Sequence, residues 1–303
     1  MDLTNAKPIE ILDKPLFDNY FQKFRPEISE LTFTNLFIWR NYYDFLYIEF
    51  DEHLLIFSKD YLKKWNKPSL NKEDAIFFLP PIGQNPDNII INLFKDLNDI
   101  EIHRVPDSIT NKIKNSKIFP SLNIVEDRNN WDYVYEKEAL ISLSGNKYRQ
   151  NRRWLNKFLD QYNYEFHLLT EDLIGKTKEL QLEWCIMRGC EEDENLSIEQ
   201  AAINEAFDNF NELKYTGGLL CVDDKCVGYT IGEMLNKDTI VIHIEKAHIN
   251  YEGSYQAINY LFLKHCCDAA IYVNREQDLG ILGLRKAKDS YKPHHMVRKS
   301  IIY

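Results

Sequence analysis

Thr239-Ile-Val-Ile-His-Ile-Glu245, the loop Asn250-Tyr-Glu-Gly-Ser-Tyr255, the helical run Gln256 to Cys267 and the stretch Ala270-Ile-Tyr-Val273 decide the fold. They read as strand, loop, helix and strand, and such a crossover makes its two strands parallel and close together. Side chains alternate along a strand. Ile240, Ile242 and Ile244 therefore share one face, and Val241, His243 and Glu245 the other. On the second strand Ile271 and Val273 lie opposite Tyr272, Asn274 and Glu276. The polar faces would line one cleft at the strand ends, where α/β sheets bind ligands. The same alternation also fits edge positions that face water. Glu245 and Lys246 point to opposite faces and should not form an ion pair.

Outward from this unit, Leu219-Leu-Cys-Val222 turns at Asp223-Asp-Lys225 into Val227-Gly-Tyr-Thr-Ile-Gly232, a meander leading into the strand of Glu245. Ser197-Ile-Glu-Gln200 has the form of a capping box opening a helix through Ile203, Phe207 and Phe210. Asn146 to Tyr162 carries Tyr148, Leu155, Leu159 and Tyr162 on one helical stripe. The N-terminal part repeats the coarse order. Phe45–Phe50 and Leu54–Phe57 form a hairpin pattern, Ala75–Leu79 is a strand stopped by Pro80-Pro81, and Asn85-Pro86 opens a helix with Asn85 as cap. Ile100–Val105 is a strand, and Asp107 caps a short helix. Ala270–Val273 is the last strand expected, and Tyr291-Lys-Pro293 ends the last helix. The pattern predicts an α/β chain with mixed α+β sheets in two tandem lobes, residues 1–138 and 139–303.

The 303 residues, 44% hydrophobic and 13% aromatic, are enough for two packed cores. A net charge of −10 argues against coating nucleic acid or an anionic membrane with the whole surface. Met1–Lys7 lacks the apolar run of a signal peptide, and no stretch approaches the ~18 apolar residues of a span, so a cytoplasmic chain with no integral membrane segment is expected. The six cysteines are read as reduced thiols, with no metal site; Cys221 and Cys226 face each other across a hairpin turn.

Carboxylates on the polar face suit general-base chemistry, removing a proton from an incoming amine or hydroxyl. Glu245 and Glu276 are the first candidates, His243 a rival base, and Tyr291 a proton donor to a leaving group. The loop from Asn250 through Gly253, Ser254, Tyr255 and Gln256 precedes a helix, where backbone N–H groups favour an anion and Gly253 permits close approach. Turn formation alone also explains that glycine. Asn274 lies near these donors, and Arg285, Lys288 and Lys292 recur at one helical face. Arg149, Arg153 and Lys157, with Arg152 nearby, form a second basic stripe suited to phosphate or tRNA; a solvated helix face gives the same pattern.

Leu31-Thr-Phe-Thr-Asn-Leu-Phe-Ile-Trp-Arg40, Asn146-Lys-Tyr-Arg-Gln-Asn-Arg-Arg153, His243-Ile-Glu-Lys-Ala-His248 with Tyr251–Asn259, and Asn274–Gly280 with Leu284–Pro293 together resemble one family. These are soluble bacterial relatives of the C-terminal domain of phosphatidylglycerol lysyltransferase. The resemblance implies two tandem GNAT-like acyltransferase lobes, a fold shared with Fem-type aminoacyltransferases. It implies transfer of an aminoacyl group from aminoacyl-tRNA, or of an acyl group from acyl-CoA, to a small-molecule or peptide acceptor. The acceptor amine or hydroxyl would attack directly, with no covalent enzyme intermediate. GNAT domains that use acetyl-CoA typically carry Gln or Arg, two residues, Gly, one residue, then Gly or Ala in the pyrophosphate loop. Here Asn250 stands first and Tyr255 last, which favours aminoacyl-tRNA as donor. The lysyltransferase's membrane portion is missing, which argues against lipid as acceptor. A CoA-dependent N-acyltransferase is the alternative, and a catalytically silent module that binds tRNA or a protein is a third reading.

Overall fold

The computed structural model describes residues 2–64, 70, 75–116 and 122–303. Its elements run β1 (Lys7–Pro8), α1 (Lys14–Phe24), α2 (Phe33–Tyr43), β2 (Leu46–Phe50), β3 (His53–Ser58), α3 (Tyr61–Lys64), β4 (Ile76–Phe78), α4 (Pro86–Asp96), β5 (Ile100–Pro106), α5 (Asp107–Lys114) and β6 (Ile124–Glu126). Then come β7 (Asp132–Glu136), α6 (Lys137–Ser142), α7 (Arg149–Gln161), β8 (Tyr164–Leu168), α8 (Ile174–Arg188), α9 (Glu194–Asp208), α10 (Phe210–Leu213), β9 (Thr216–Val222) and β10 (Lys225–Met234). The chain closes with β11 (Thr239–Ala247), α11 (Ser254–Cys266), β12 (Tyr272–Asn274), α12 (Leu282–Ser290), β13 (His295–Val297) and β14 (Lys299–Ile302).

Among the described residues the strands form two seven-stranded mixed sheets, β1-β2-β3-β4-β5-β14-β6 and β13-β7-β12-β11-β10-β9-β8. Each sheet has a parallel pair, β4 with β5 and β11 with β12, flanked by antiparallel neighbours. The tandem GNAT-like fold expected from the resemblance is the fold observed.

The two compact units are residues 1–132, 277–280 and 296–303, and residues 133–276 and 281–295. A single cut at 138/139 misses a strand exchange. β7 completes the second sheet by pairing with β12, and β14 completes the first by pairing with β5 and β6. In the first unit Lys299 of β14 is fully buried, its Nζ 2.6 Å from both Asp132 Oδ1 and Glu30 Oε2. Charges taken that far out of water persist only when paired.

Local chemistry corrects several expectations. α9 starts three residues before Ser197, because the Asp193 side chain accepts from the backbone N–H groups of Asn195 and Leu196 and caps the helix itself. Asn85 has a left-handed backbone and makes no side-chain cap, although Pro86 does open α4. Asp107 is the first residue of α5, with Pro106 in the cap position. Cys185 and Cys190 are joined by a disulfide across the turn that ends α8, not held as free thiols. Cys221 and Cys226 do face each other across the β9–β10 hairpin, their sulfurs 2.9 Å apart.

Candidate functional site

β11 is built from residues that favour strands, and its alternation sets the site. Ile240, Val241 and Ile242 are buried. β12 pairs with β11 only at Thr239↔Tyr272, Ile240↔Val273 and Val241↔Asn274. β11 then continues to Ala247 while β12 turns away, and Asn274 Oδ1 holds that turn by accepting from the Glu276 N–H at 2.8 Å. Glu276 takes φ 56°, so strict alternation ends there.

Two polar groups occupy the parting. In the first, Arg275 Nη2 donates to Glu245 Oε1 at 2.6 Å, and Asn259 Nδ2 of α11 donates to Glu245 Oε2 at 2.9 Å. The Glu245 and Arg275 side chains are 9% and 15% exposed. The Tyr291 ring lies 4.9 Å from the Arg275 guanidinium and meets Tyr135 edge-on at 6.5 Å. Burial pushes the Tyr291 phenol up to about 12 against the pull of the Arg275 charge. Tyr291 is thus protonated at neutral pH and a weaker acid than a free phenol.

In the second group His243 sits between two carboxylates, Nδ1 2.9 Å from Glu276 Oε1 and Nε2 2.9 Å from Glu233 Oε1. Burial opposes the charged ring, but hydrogen bonds and charge from Glu233 and Glu276 outweigh it and raise the imidazole to about 9. His243 is a charged bridge at neutral pH, with no lone pair free for a base.

On the opposite face of β11, Lys246 Nζ bonds Glu199 Oε2 at 2.7 Å and lies 3.9 Å from the Trp184 ring. Glu245 and Lys246 take separate partners on separate faces, as alternation requires.

The loop before α11 behaves differently from expectation. A Cβ at Gly253, where φ is 87°, would lie 2.2 Å from the Trp154 carbonyl of α7, so the glycine's close approach serves helix packing. Ser254 is buried and its hydroxyl donates to the His248 carbonyl at 3.1 Å. Tyr255 accepts from Trp184 Nε1 at 3.1 Å. Gln256 hydrogen-bonds Tyr291, which brings it to the first polar group. Asn250 is exposed. Asn274 is fully buried in its own turn.

The basic residues separate by position. Lys288 Nζ folds back onto the Arg275 carbonyl and the Tyr133 ring, Arg285 is half-buried, and Lys292 is exposed beyond the helix. Arg152 caps the end of α6 through the carbonyls of Leu143 and Gly145, and Lys157 pairs with Glu252. Arg149 and Arg153 lie exposed on α7.

The first unit carries a similar parting with a different set of groups: Arg104 pairs there with Glu30 at 3.2 Å and Asp127 at 2.7 Å. Phe78↔Ile102 is the last parallel pair of β4 and β5, and Arg104, two residues on, has φ 60°, matching Glu276 after Asn274. Counted from those pairs, Pro80 and Pro81 stand where β11 has His243 and Ile244, and Ile82 stands where it has Glu245. Proline removes the ladder donor and stops the strand.

Sequence reasoning missed Arg275, Asn259 and Glu233. Glu233 lies just past a register shift between Ile231 and Gly232 of β10, a bulge that composition does not announce.

A conserved protein of unknown function from Bacteroides thetaiotaomicron is similar over 98% of both chains, at 30% identity and TM-score 0.87. L-PGS from Bacillus licheniformis shares the fold at TM-score 0.65 and 13% identity, covering 99% of this chain and 93% of that one. FemX does so at TM-score 0.60 and 8% identity, over 99% and 97%. An uncharacterised protein of Mycoplasmoides gallisepticum is 28% identical over 178 residues, and the match spans 56% of this chain and 55% of that relative's length. Among the described residues no helix is long and apolar enough to cross a membrane. A model of the C-terminal region of phosphatidylglycerol lysyltransferase matches residues 21–303, and the chain belongs to that family.

Proposed function

We propose that this chain is an aminoacyltransferase of the cytoplasm that takes its aminoacyl group from aminoacyl-tRNA and passes it to an amine or hydroxyl of a small molecule or peptide. One observation carries the reading. Where β11 outruns β12, a buried carboxylate, a buried guanidinium and a protonated buried phenol converge, at a place the first unit fills with Pro80, Pro81 and Ile82. Family membership supports aminoacyl transfer as the chemistry.

Each Glu245 oxygen accepts one hydrogen bond, from Arg275 or Asn259, which leaves a lone pair on each to accept a proton from the attacking amine or hydroxyl. Tyr291 gives a proton to the departing ribose oxygen. His243, held charged between Glu233 and Glu276, and Glu276 itself fix the turn after β12 on the same side. The first unit serves structure or acceptor binding. The packing of Gly253 onto Trp154 disfavours a pyrophosphate cradle there, and with it the CoA-dependent alternative.

The test compares bulk aminoacyl-tRNA with acetyl-CoA for binding and for transfer of labelled amino acid or acetyl. Tight tRNA binding with transfer supports the proposal. Binding of acetyl-CoA alone would replace it with the acyl-CoA reaction, and binding of tRNA without transfer to any acceptor would make the chain a silent module.

A further inference from the structure

Arg275 follows β12 directly, and its backbone is fixed on both sides: its N–H donates to the Tyr133 carbonyl at 2.9 Å, and its carbonyl accepts from Lys288 Nζ. The guanidinium is therefore held, not swung in from a flexible chain. Nη2 is committed to Glu245. Tyr291 hydrogen-bonds the guanidinium, yet Nη1 itself is buried and makes no hydrogen bond of good geometry among the described residues. A buried donor left without a partner is costly, the more so when charged, so native structures seldom keep one without use. The guanidinium that carries this donor bonds Glu245 through Nη2 and lies 4.9 Å from the Tyr291 ring.

We propose that Arg275 Nη1 binds the carbonyl oxygen of the acyl group being transferred and holds the oxyanion that forms on it. This deepens the function proposed above and rests on it. The chemistry of the donor decides the ligand class. A guanidinium offers N–H groups only and never accepts, so its missing partner is an oxygen with lone pairs. Because Nη2 is already neutralised by Glu245, an uncharged carbonyl enters without leaving a bare charge behind. In the reaction the acceptor nitrogen attacks the ester carbon and the C=O π pair moves onto oxygen, facing Nη1. As the C–O ester bond breaks and the amide forms, the pair returns; Glu245 takes the amine proton, Tyr291 protonates the released ribose oxygen, and return of the proton from Glu245 to the Tyr291 phenolate resets the site. Arg275 keeps its protons throughout. A donor aimed where charge develops is worth roughly 10²–10³ in turnover when removed.

The test uses the intact chain and two families of probe, 3′-aminoacylamido-3′-deoxyadenosines and the same compounds with CH₂ in place of the carbonyl, across the common amino acids. Sites built to hydrogen-bond a group reject analogues that lack it. Wild type should prefer the carbonyl probe by about tenfold or more. Arg275→Lys, which keeps a cation beside Glu245 but loses the fork, should bind both probes equally while retaining the wild-type melting temperature; Arg275→Gln gives the same comparison should the lysine variant fold poorly. Undiminished preference in a folded variant overturns the role of Arg275 and leaves the aminoacyl-transfer reading standing. Wild-type binding without preference also overturns it. Failure of wild type to bind any probe removes both.

Discussion

Arg275 Nη2 and Glu245 Oε1 lie 2.6 Å apart although their strands have already separated. The last β11–β12 pair is Val241↔Asn274, so the ion pair spans the gap one residue past the end of β12. A contact across such a gap is made by side chains alone and can be altered without touching the sheet.

Glu245→Gln keeps an acceptor for Arg275 but removes the charge and the base. Turnover should be abolished, a fall of at least about 10²-fold, with aminoacyl-tRNA binding unchanged. Single-turnover transfer beside an equilibrium binding curve separates the two effects. Activity equal to wild type would take Glu245 out of the mechanism.

The His243 bridge predicts a pH dependence of stability. Its imidazole rises from 6.5 to about 9 in the folded protein because Glu233 and Glu276 outweigh burial. A raised pKa means the folded state binds the proton more tightly, so the stabilisation is complete below about 6.5 and lost as pH climbs through 9. The size is about 3 kcal/mol at one pKa unit per 1.36 kcal/mol. Urea midpoints at pH 6 and pH 9.5 should show wild type losing most of this while His243→Asn, already weakened, changes little. A flat wild-type profile would show that the bridge is uncharged.

Alternation along β11 was fully legible, because Ile240, Ile242 and Ile244 can only be inward together if His243 and Glu245 face the other way. It also separated Glu245 from Lys246, and each has its own partner. The parallel relation of β11 and β12 followed from the intervening helix. Arg275 was not legible, since alternation assigns it to the face of Val273; the strand ends at Asn274 and the positive φ of Glu276 breaks the pattern. Nor was the Cys185–Cys190 bridge, whose short spacing also suits two thiols at a helix end. β14 escaped because four residues, Lys299–Ile302, carry too little periodicity to declare a central strand.

That strand exchange makes a further prediction. A fragment 1–138 holds β7 but lacks β14, and a fragment 139–303 holds β14 but lacks β7. Each would leave a gap inside a sheet, and the first would also leave Asp132 and Glu30 without Lys299, a loss on the order of 3–5 kcal/mol for a buried pair. Neither fragment alone should show a cooperative thermal transition. Mixed or co-expressed, they should recover one, because each supplies the strand the other needs. A sharp transition from 139–303 alone would show that β7 is dispensable.

The α7 arginines separate electrostatic from structural basic residues. Arg149 and Arg153 are exposed along one face, whereas Arg152 holds the end of α6 and Lys157 is engaged by Glu252. If the stripe meets tRNA phosphates, each lost contact should lessen the slope of log affinity against log salt by about 0.7–0.9. Arg149→Ala and Arg153→Ala should each weaken aminoacyl-tRNA binding and flatten that slope while leaving the melting temperature unchanged. Arg152→Ala should do the reverse, lowering the melting temperature through the uncapped carbonyls of Leu143 and Gly145, with the slope intact. Slopes unchanged in the Arg149→Ala, Arg153→Ala double variant would mean that α7 presents only a solvated face, and that any tRNA contact lies elsewhere on the chain.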